Sequence, residues 1–361
     1  MASILDILSW RNISTAVQKV EPGIPDPLPS EFSTLTEDVL GDRTTYVTFY
    51  GQRQTAKRVE YGAPSRARTL KQIGEQSVTL LHFAEHIKIR QELLLRLRNP
   101  NDLMAQQIAQ QEIARHGADF RQLFENTRIL ARVMLVSKGK IWLDTNGNIL
   151  PTSSGAALTI DYGIGANNLN QLNGIIDVSW ANAAANISLH IEKVRIKMRQ
   201  NTGHVLGVAC YGKNVPNYLL TNTTTKAWGQ YNPVLMNQYY QNPGVIPDGF
   251  LGVPKWVRMS DTFFEDSSET IQAAFGDDQV TFLPVIDRNV YTLYQGSLTV
   301  PKRFGINPDV SSSVNDFEVV YGMGGYAVPE IDPPGIKEVY FDTLLPHWKT
   351  PLDMFIATVA F

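Results

Sequence analysis

The chain has 361 residues, 43% of them hydrophobic and 19% charged, with a net charge of −3; this suits a globular protein with a sizeable core and allows two domains. So even a balance gives the molecule as a whole no electrostatic pull toward nucleic acid or a membrane surface. One cysteine, Cys210, excludes an internal disulfide framework and a cysteine-rich metal site; no apolar run approaches the roughly 20 residues that span a bilayer, and the first residues lack a signal-peptide layout, so a soluble protein made inside the cell is expected.

Residues 1–35 read as an arm. An apolar patch, Ile4, Leu5, Ile7, Leu8 and Trp10, precedes VEPGIPDPLPSEF, whose prolines forbid helix and favour extended chain. A free tail fits this, and so does a segment docked on a neighbouring surface, because exposed Leu, Ile and Trp are wasteful on a free tail. Residues 43–62 read as a β-hairpin: Tyr46, Thr48 and Tyr50 alternate with Val47 and Phe49, and Val59 and Tyr61 continue on the return strand. From Gly51 to Lys71 the chain carries Arg53, Lys57, Arg58, Arg66, Arg68 and Lys71 against only Glu60. This segment fits a solvated basic loop, a nucleic-acid contact, or a hairpin reaching an acidic surface on another copy. Asp261 to Asp278 offers such a surface, with Asp261, Glu265, Asp266, Glu269, Asp277 and Asp278 and no Lys or Arg; charges at an interface rim set register more than affinity.

Residues 76–98 read as a strand and then a short helix. Within them His82, Glu85 and His86 match the inverted zinc-protease pattern His-x-x-Glu-His. That chemistry needs both histidines on one helix face and the glutamate as base, whereas here the pattern straddles the expected end of a strand. A metal-dependent hydrolase is the alternative function it leaves open.

Asp102 to Gly139 reads as one long helix spanning 103–138. Asp102 suits its N-cap, and Lys138 followed by Gly139 suits its end. Phe120, Leu123, Phe124, Thr127, Leu130, Ala131 and Met134 make an apolar stripe, with Glu125 and Arg128 on the wetter side. At 1.5 Å per residue the rod is about 54 Å long. Asn146-Gly147 between β-formers predicts a two-residue hairpin, and ALTIDYG a further strand. Asn182 to Gly203 reads as a second amphipathic helix with Ile187, Ile191, Val194 and Met198 on its stripe. HVLGVACYG follows as a buried strand with Cys210 as a small core residue, then VPNYLL as a short helix. The stretch from Gln230 to Pro254, rich in Asn, Pro, Gly and Tyr, reads as loop around short strands. WVRMSDTFFED and DQVTFLPV read as strands, and GMGGY lacks the lysine and following helix of a phosphate loop. AVPEIDPPG reads as a connector, and IKEVYFDTLLP and DMFIATVAF as strands that must pair and be covered. The chain holds no nucleophile elbow, Walker loop or dinucleotide fingerprint. Its histidines (His82, His86, His116, His190, His204, His347) are scattered, so neither a catalytic constellation nor a cofactor is expected.

The order of parts is arm, long hairpin, long helix, β-hairpin, compact second domain and returning C-terminal strand. In that order, and in NTRILARVMLVSKGKIWLDTNGNI, LTIDYG, Trp180 before the second helix, VPNYLL and LPHWKTPLDMFIATVAF, the chain resembles the major capsid proteins of tailed bacteriophages, most of all the lambda capsid protein E family. The resemblance covers roughly residues 36–361. It implies an α+β Hong Kong 97-type fold: N-terminal arm 1–35, extended loop 36–100, peripheral domain 101–163 and 331–361 with a spine helix at 103–138, and axial domain 164–330. The implied function is a non-enzymatic one, assembly into the icosahedral head shell around double-stranded DNA, with another assembly or decoration protein of the virion as an alternative beside the hydrolase. The implied partners are many copies of itself as pentamers and hexamers, a separate scaffolding protein, a portal protein, and packaged DNA without sequence-specific contact, with reinforcement by a decoration protein left open and no membrane. The implied location is the virion, after assembly in the host bacterial cytoplasm. On this reading Arg53, Lys57, Arg58, Arg66, Arg68, Asp261, Glu265, Asp266 and Trp10 are candidates for contacts between copies.

Overall fold

The structure, a computed structural model, describes residues 26–41, 43–49, 73–89, 92, 95, 103–260, 263–265, 271–301, 317–330 and 335–361. Its strands begin with β1 (Thr36–Val39), β2 (Arg43–Phe49), β3 (Ile73–Thr79), β4 (Leu81–Ile89), β5 (Lys140–Leu143), β6 (Ile149–Leu150), β7 (Leu158–Asp161), β8 (Leu169–Asn170) and β9 (Leu206–Tyr211). They continue with β10 (Lys255–Arg258), β11 (Phe263–Glu265), β12 (Ile271–Ala273), β13 (Gln279–Pro284), β14 (Tyr291–Pro301), β15 (Phe317–Tyr321), β16 (Gly324–Glu330), β17 (Gly335–Trp348) and β18 (Phe355–Thr358). The helices are α1 (Leu103–Lys138), α2 (Ile187–Asn201), α3 (Val215–Thr221), α4 (Thr223–Tyr231) and α5 (Pro233–Gln241), with a single helical turn at Glu31–Thr34.

One sheet, in the order β10-β9-β13-β18-β8, forms a shared wall between two cores. Alternate residues of its strands serve different sides. Val208, Cys210, Val257, Leu283 and Ile356 pack with the C-terminal part of α1 (Val133, Met134, Val136). Ala209, Tyr211, Trp256, Val280, Phe282 and Phe355 pack with residues of α2, α3 and α5, among them Ile191, Leu219 and Tyr239. Burial on both faces is why β9 and β13 read as continuous apolar runs rather than alternating ones. Two polar residues of β13 tie the wall to the helix end. Thr281 Oγ1 donates to Val136 O (3.0 Å) and Gln279 Nε2 to Ser137 O (2.6 Å), satisfying carbonyls that a helix terminus leaves open.

Helix α1 has the predicted span. It stops where Gly139 takes φ +65° and its N–H reaches Leu135 O at 2.8 Å; a Cβ there would lie 2.2 Å from the Ile164 side chain, so a larger residue is excluded twice over. The predicted stripe holds for Phe124, Ala131 and Met134, whereas Leu123 faces solvent. From Ala131 to Ser137 every residue is buried, so this end is a core element rather than a surface rod. The second helix begins later than expected, at Ile187. Asn186 caps it by accepting from Leu189 N, its predicted stripe is buried, and Gly203 beyond its end has φ +92°.

The second large sheet is organised on β17, which pairs antiparallel with β4, β16 and β14; β1 adds parallel to β14, and β15 antiparallel to its far end. Residues 26–35, expected within the arm, are instead built into the chain's own core. Leu28 and Phe32 are buried, and the Phe32 ring lies 4.7 Å from Tyr291 and 6.3 Å from Trp348.

Other expectations are corrected. The partner of β2 is β3, with Arg43 opposite Thr79 and Phe49 opposite Ile73; the return strand therefore lies beyond Val59 and Tyr61, which fall outside the described residues. Asn146-Gly147 is not a two-residue hairpin. Trp142 and Leu143 pair with Leu150 and Ile149, and Asp144 shapes the longer loop by accepting from the N–H groups of Asn146 (2.7 Å) and Asn148 (2.8 Å). The first part of the predicted loop at 230–254 is helix, the end of α4 and all of α5. Residues 327–330 belong to β16, not to a connector. The C-terminal strand pairs in the shared wall between β13 and β8, where Ile356 packs with the C-terminal part of α1.

Candidate inter-subunit surfaces

The rigid base of the molecule is the contact of α1 with β17. Side chains alternate along a strand, so Glu338, Tyr340 and Asp342 share one face of β17, and each meets a residue of the helix. Asp342 Oδ2 and Oδ1 accept from Arg128 Nε (2.7 Å) and Nη2 (2.6 Å). Tyr340 stacks on Phe120 with ring centres 4.4 Å apart. Glu338 Oε2 lies 3.3 Å from His116 Nδ1 and accepts from Tyr340 OH at 3.1 Å. Arg128 thus faces the core, not the wetter side. Burial opposes its charge, but Asp342 beside it holds the guanidinium pKa above its ordinary value. Arg132, fully within the fold, reaches Asp26 at 2.9 Å, so the segment entering from the N-terminus is clamped to the same helix.

The His116 contact gives a pH-dependent outcome. The hydrogen bond to Glu338 raises the histidine pKa above 6.5 against the lowering effect of burial, with Glu112 and Asp119 on its own helix adding to the rise. A histidine whose folded pKa is raised contributes its full stabilisation below the unfolded pKa and loses it as pH climbs through the folded value. His116→Asn is expected to lower the melting temperature most below about pH 6, the range under the unfolded pKa, and progressively less as pH climbs; a deficit of the same size at every pH would rule the ion pair out.

From this base one element stands apart. β2 and β3 form a two-stranded ribbon that pairs with no other strand among the described residues. The residues linking its strands, 50–72, include Arg53, Lys57, Arg58, Arg66 and Arg68; these lie outside the described residues, as do Trp10, Asp261 and Asp266. Glu265 ends β11, opposite Ile271 of β12. Further along the acidic stretch, Asp278 is engaged within its own chain, where Oδ1 accepts from Asn214 Nδ2 (2.9 Å) and Tyr218 OH (2.7 Å).

The metal alternative fails on geometry. His82, Glu85 and His86 all lie within β4, which runs unbroken to Ile89. The strand places both histidines on one face, separated by about 13 Å along the chain, and the glutamate on the other. His82 Nδ1 is 2.8 Å from Thr343 Oγ1, and burial lowers its pKa. No group of three metal-ligating side chains converges among the described residues. Sequence reasoning missed the helix-facing row on β17, whose signal was present as alternation: Glu338-x-Tyr340-x-Asp342.

With this geometry described, comparison with known proteins gives the following. A family model described as phage major capsid protein E matches residues 11–295 of the chain. No curated protein matches it. Among solved structures, a phage-related protein from Bordetella bronchiseptica is similar over 100% of this chain and 99% of its own, at 10% identity and a TM-score of 0.50. A structure from Gordonia phage Cozz is similar over 95% and 92% at 10% identity and 0.46. The mature capsid of bacteriophage PhiM1 is similar over 94% and 89% at 12% identity and 0.41.

Proposed function

Since the chain belongs to the phage major capsid protein E family, we propose that it builds the head shell by laying its β2–β3 ribbon, and the segment preceding residue 26, across neighbouring copies. The protein is a major capsid protein with the α+β Hong Kong 97-type fold, and its work in this reading is assembly, without a reaction. The observation that carries the proposal is the ribbon. An isolated two-stranded ribbon is at best marginally stable in water, so one that pairs with no other strand among the described residues needs a cover, and in a shell the cover is the adjacent copy. Large interfaces made by limbs of this kind sustain permanent association.

In this reading α1, the β5–β7 hairpin region and the β17 sheet form the peripheral part, and α2 to α5 the axial part around five-fold and six-fold centres, with the β9–β13–β18 wall common to both. Residues 1–25 form the arm, because 26–35 are committed to the chain's own core. The cations at Arg53, Lys57, Arg58, Arg66 and Arg68 set register against Asp261, Glu265 and Asp266 of a neighbour. A separate scaffolding protein, a portal and packaged double-stranded DNA are further partners, with assembly in the host cytoplasm; a wall of near-neutral subunits holds DNA without binding it tightly.

The test is electron microscopy of the full chain beside a variant with residues 50–72 replaced by a short Gly-Ser turn. The full chain, expressed with and without its neighbouring gene products, is expected to give closed shells or sheets of hexamers. The variant is expected to melt like the parent and to leave shells unfinished. A full chain that stays a monodisperse monomer under all conditions refutes the proposal, and so does a variant that closes shells as well as the parent.

A further inference from the structure

Trp180 lies on the loop that leads into α2, and His190 on the buried face of that helix. Both side chains are buried, so their ring nitrogens need partners inside the fold. An indole nitrogen can only donate. Trp180 Nε1 lies 3.1 Å from His190 Nδ1, so Nδ1 accepts and carries no proton. The single proton of the neutral ring sits on Nε2, which donates to Asp177 Oδ1 at 2.7 Å. One tautomer of the neutral ring satisfies both contacts. A second proton has to go to Nδ1, where it would point at the Trp180 N–H.

This ring holds the loop to the helix, and the loop holds the end of the chain. Trp180 N donates to Val359 O (2.7 Å), and Ser179 Oγ accepts from Phe361 N (3.3 Å). The start of the loop is strained. Asn170, Leu172 and Asn173 have φ of +57°, +54° and +52°, a left-handed backbone that L-residues with a side chain adopt at a cost. Leu172 is buried in the core that Trp180 and α2 share. Residues held in this way persist only while their surroundings over-determine them. Further on, the loop is secured independently of the ring: Ala183 O accepts from Thr223 N (2.9 Å) and Ala185 O from Asn222 Nδ2 (2.8 Å). The charges acting on the ring are Asp177 from the loop and Lys193 from its own helix, the two lying 3.5 Å apart. Burial lowers the His190 pKa below 6.5; Asp177 works against that and Lys193 with it.

We propose that Trp180, His190 and Asp177 form an acid-sensitive latch within the subunit: a proton taken from solvent onto His190 Nδ1 sets two N–H groups against each other, breaks the Trp180 bond and frees residues 171–181 from α2. The proton adds to a lone pair and no covalent bond breaks, so the latch closes again when the pH returns. The device belongs to the single chain and does not rest on the shell-building reading. Its pH window follows from linkage. The open loop leaves His190 free to bind one more proton than the closed one. Opening therefore becomes about tenfold easier for each pH unit below about 6.5, until the closed form takes up the proton too, and is independent of pH above that value.

Amide hydrogen exchange of the full chain as the unassembled subunit, corrected for the intrinsic pH dependence of exchange, reads the opening directly. Protection of residues 171–181 is expected to stay constant above about pH 6.5 and to fall about tenfold per pH unit below it, while β9 keeps its protection. His190→Asn leaves an acceptor for Trp180 at the Nδ1 position and does not titrate, so the slope is expected to vanish. Trp180→Phe removes the donor, so the loop is expected to exchange faster at every pH, again without a slope. Protection of the parent loop that does not change with pH overturns the proposal. So does a slope that persists in either variant, because the sensing group then lies elsewhere. A β9 that loses protection in step with the loop also overturns it, because the whole subunit is then opening.

Discussion

Replacing Asp342 by alanine lowers the stability of the subunit by about 3–5 kcal/mol, the usual cost of breaking a buried ion pair from one side. The Asp342 side chain is fully buried, and its partner Arg128 is 12% exposed. Two hydrogen bonds hold the guanidinium in a fork that carboxylate geometry matches. Removing the carboxylate leaves a charge inside the fold, far from the water that would solvate it, and α1 loses one of its attachments to β17. The loss belongs to the orphaned charge rather than to the strength of the pair. The double variant Arg128→Met with Asp342→Leu is therefore expected to recover most of it, since apolar residues of similar volume often replace a buried pair at little cost. Urea unfolding of the unassembled subunit decides the matter: a single-variant cost below about 1 kcal/mol would mean that water reaches the pair.

Removing residues 354–361 abolishes soluble folding. Met354, Phe355, Ile356, Ala357 and Val359 are all buried. Phe355 to Thr358 hold one edge of β13 in register from Phe282 to Gln279 and pair with β8 on the other side. Beyond the strand, Val359 N donates to Asp278 O (2.9 Å), and Trp180 N donates to Val359 O (2.7 Å). Losing a single buried Phe, Ile or Met side chain costs about 2–5 kcal/mol, so the set exceeds the roughly 5–15 kcal/mol by which a domain is stable at all. Deletion of Phe361 alone, an exposed residue, is the control and leaves solubility and melting unchanged. A soluble 1–353 fragment with the parental melting temperature would refute the argument.

The parts legible in the sequence are those whose signal is local and strong. The span of α1 followed from its periodicity and the Lys138-Gly139 stop, and the stripe of α2 from Ile187, Ile191, Val194 and Met198. The double burial of β9 was plain in LGVACY. What escaped was set either at a distance or by residues with two meanings. Arg128 looks like a surface charge to its neighbours in sequence; only Asp342, 214 positions away, draws it inward. The Asn232-Pro233 pair fell in a stretch read as loop, yet Pro233 sits at the first turn of α5, where its missing N–H costs nothing, and upstream Asn222 caps α4 by accepting from Thr225 N. The β2 pairing was placed too early because alternation at Val59 and Tyr61 says that a strand is possible, not which register the ribbon takes. Of the candidate contacts, the basic segment was visible as a charge run.

The wall formed by β9, β13 and β18 carries a mechanical consequence. Because consecutive residues of one backbone belong to opposite cores, no seam lies between the two halves of the subunit, and a hinge there would crack both interiors together. Each copy is then stiff across the wall. A shell built from such subunits takes its change of curvature in the joints between copies, and not by flexing the subunit itself.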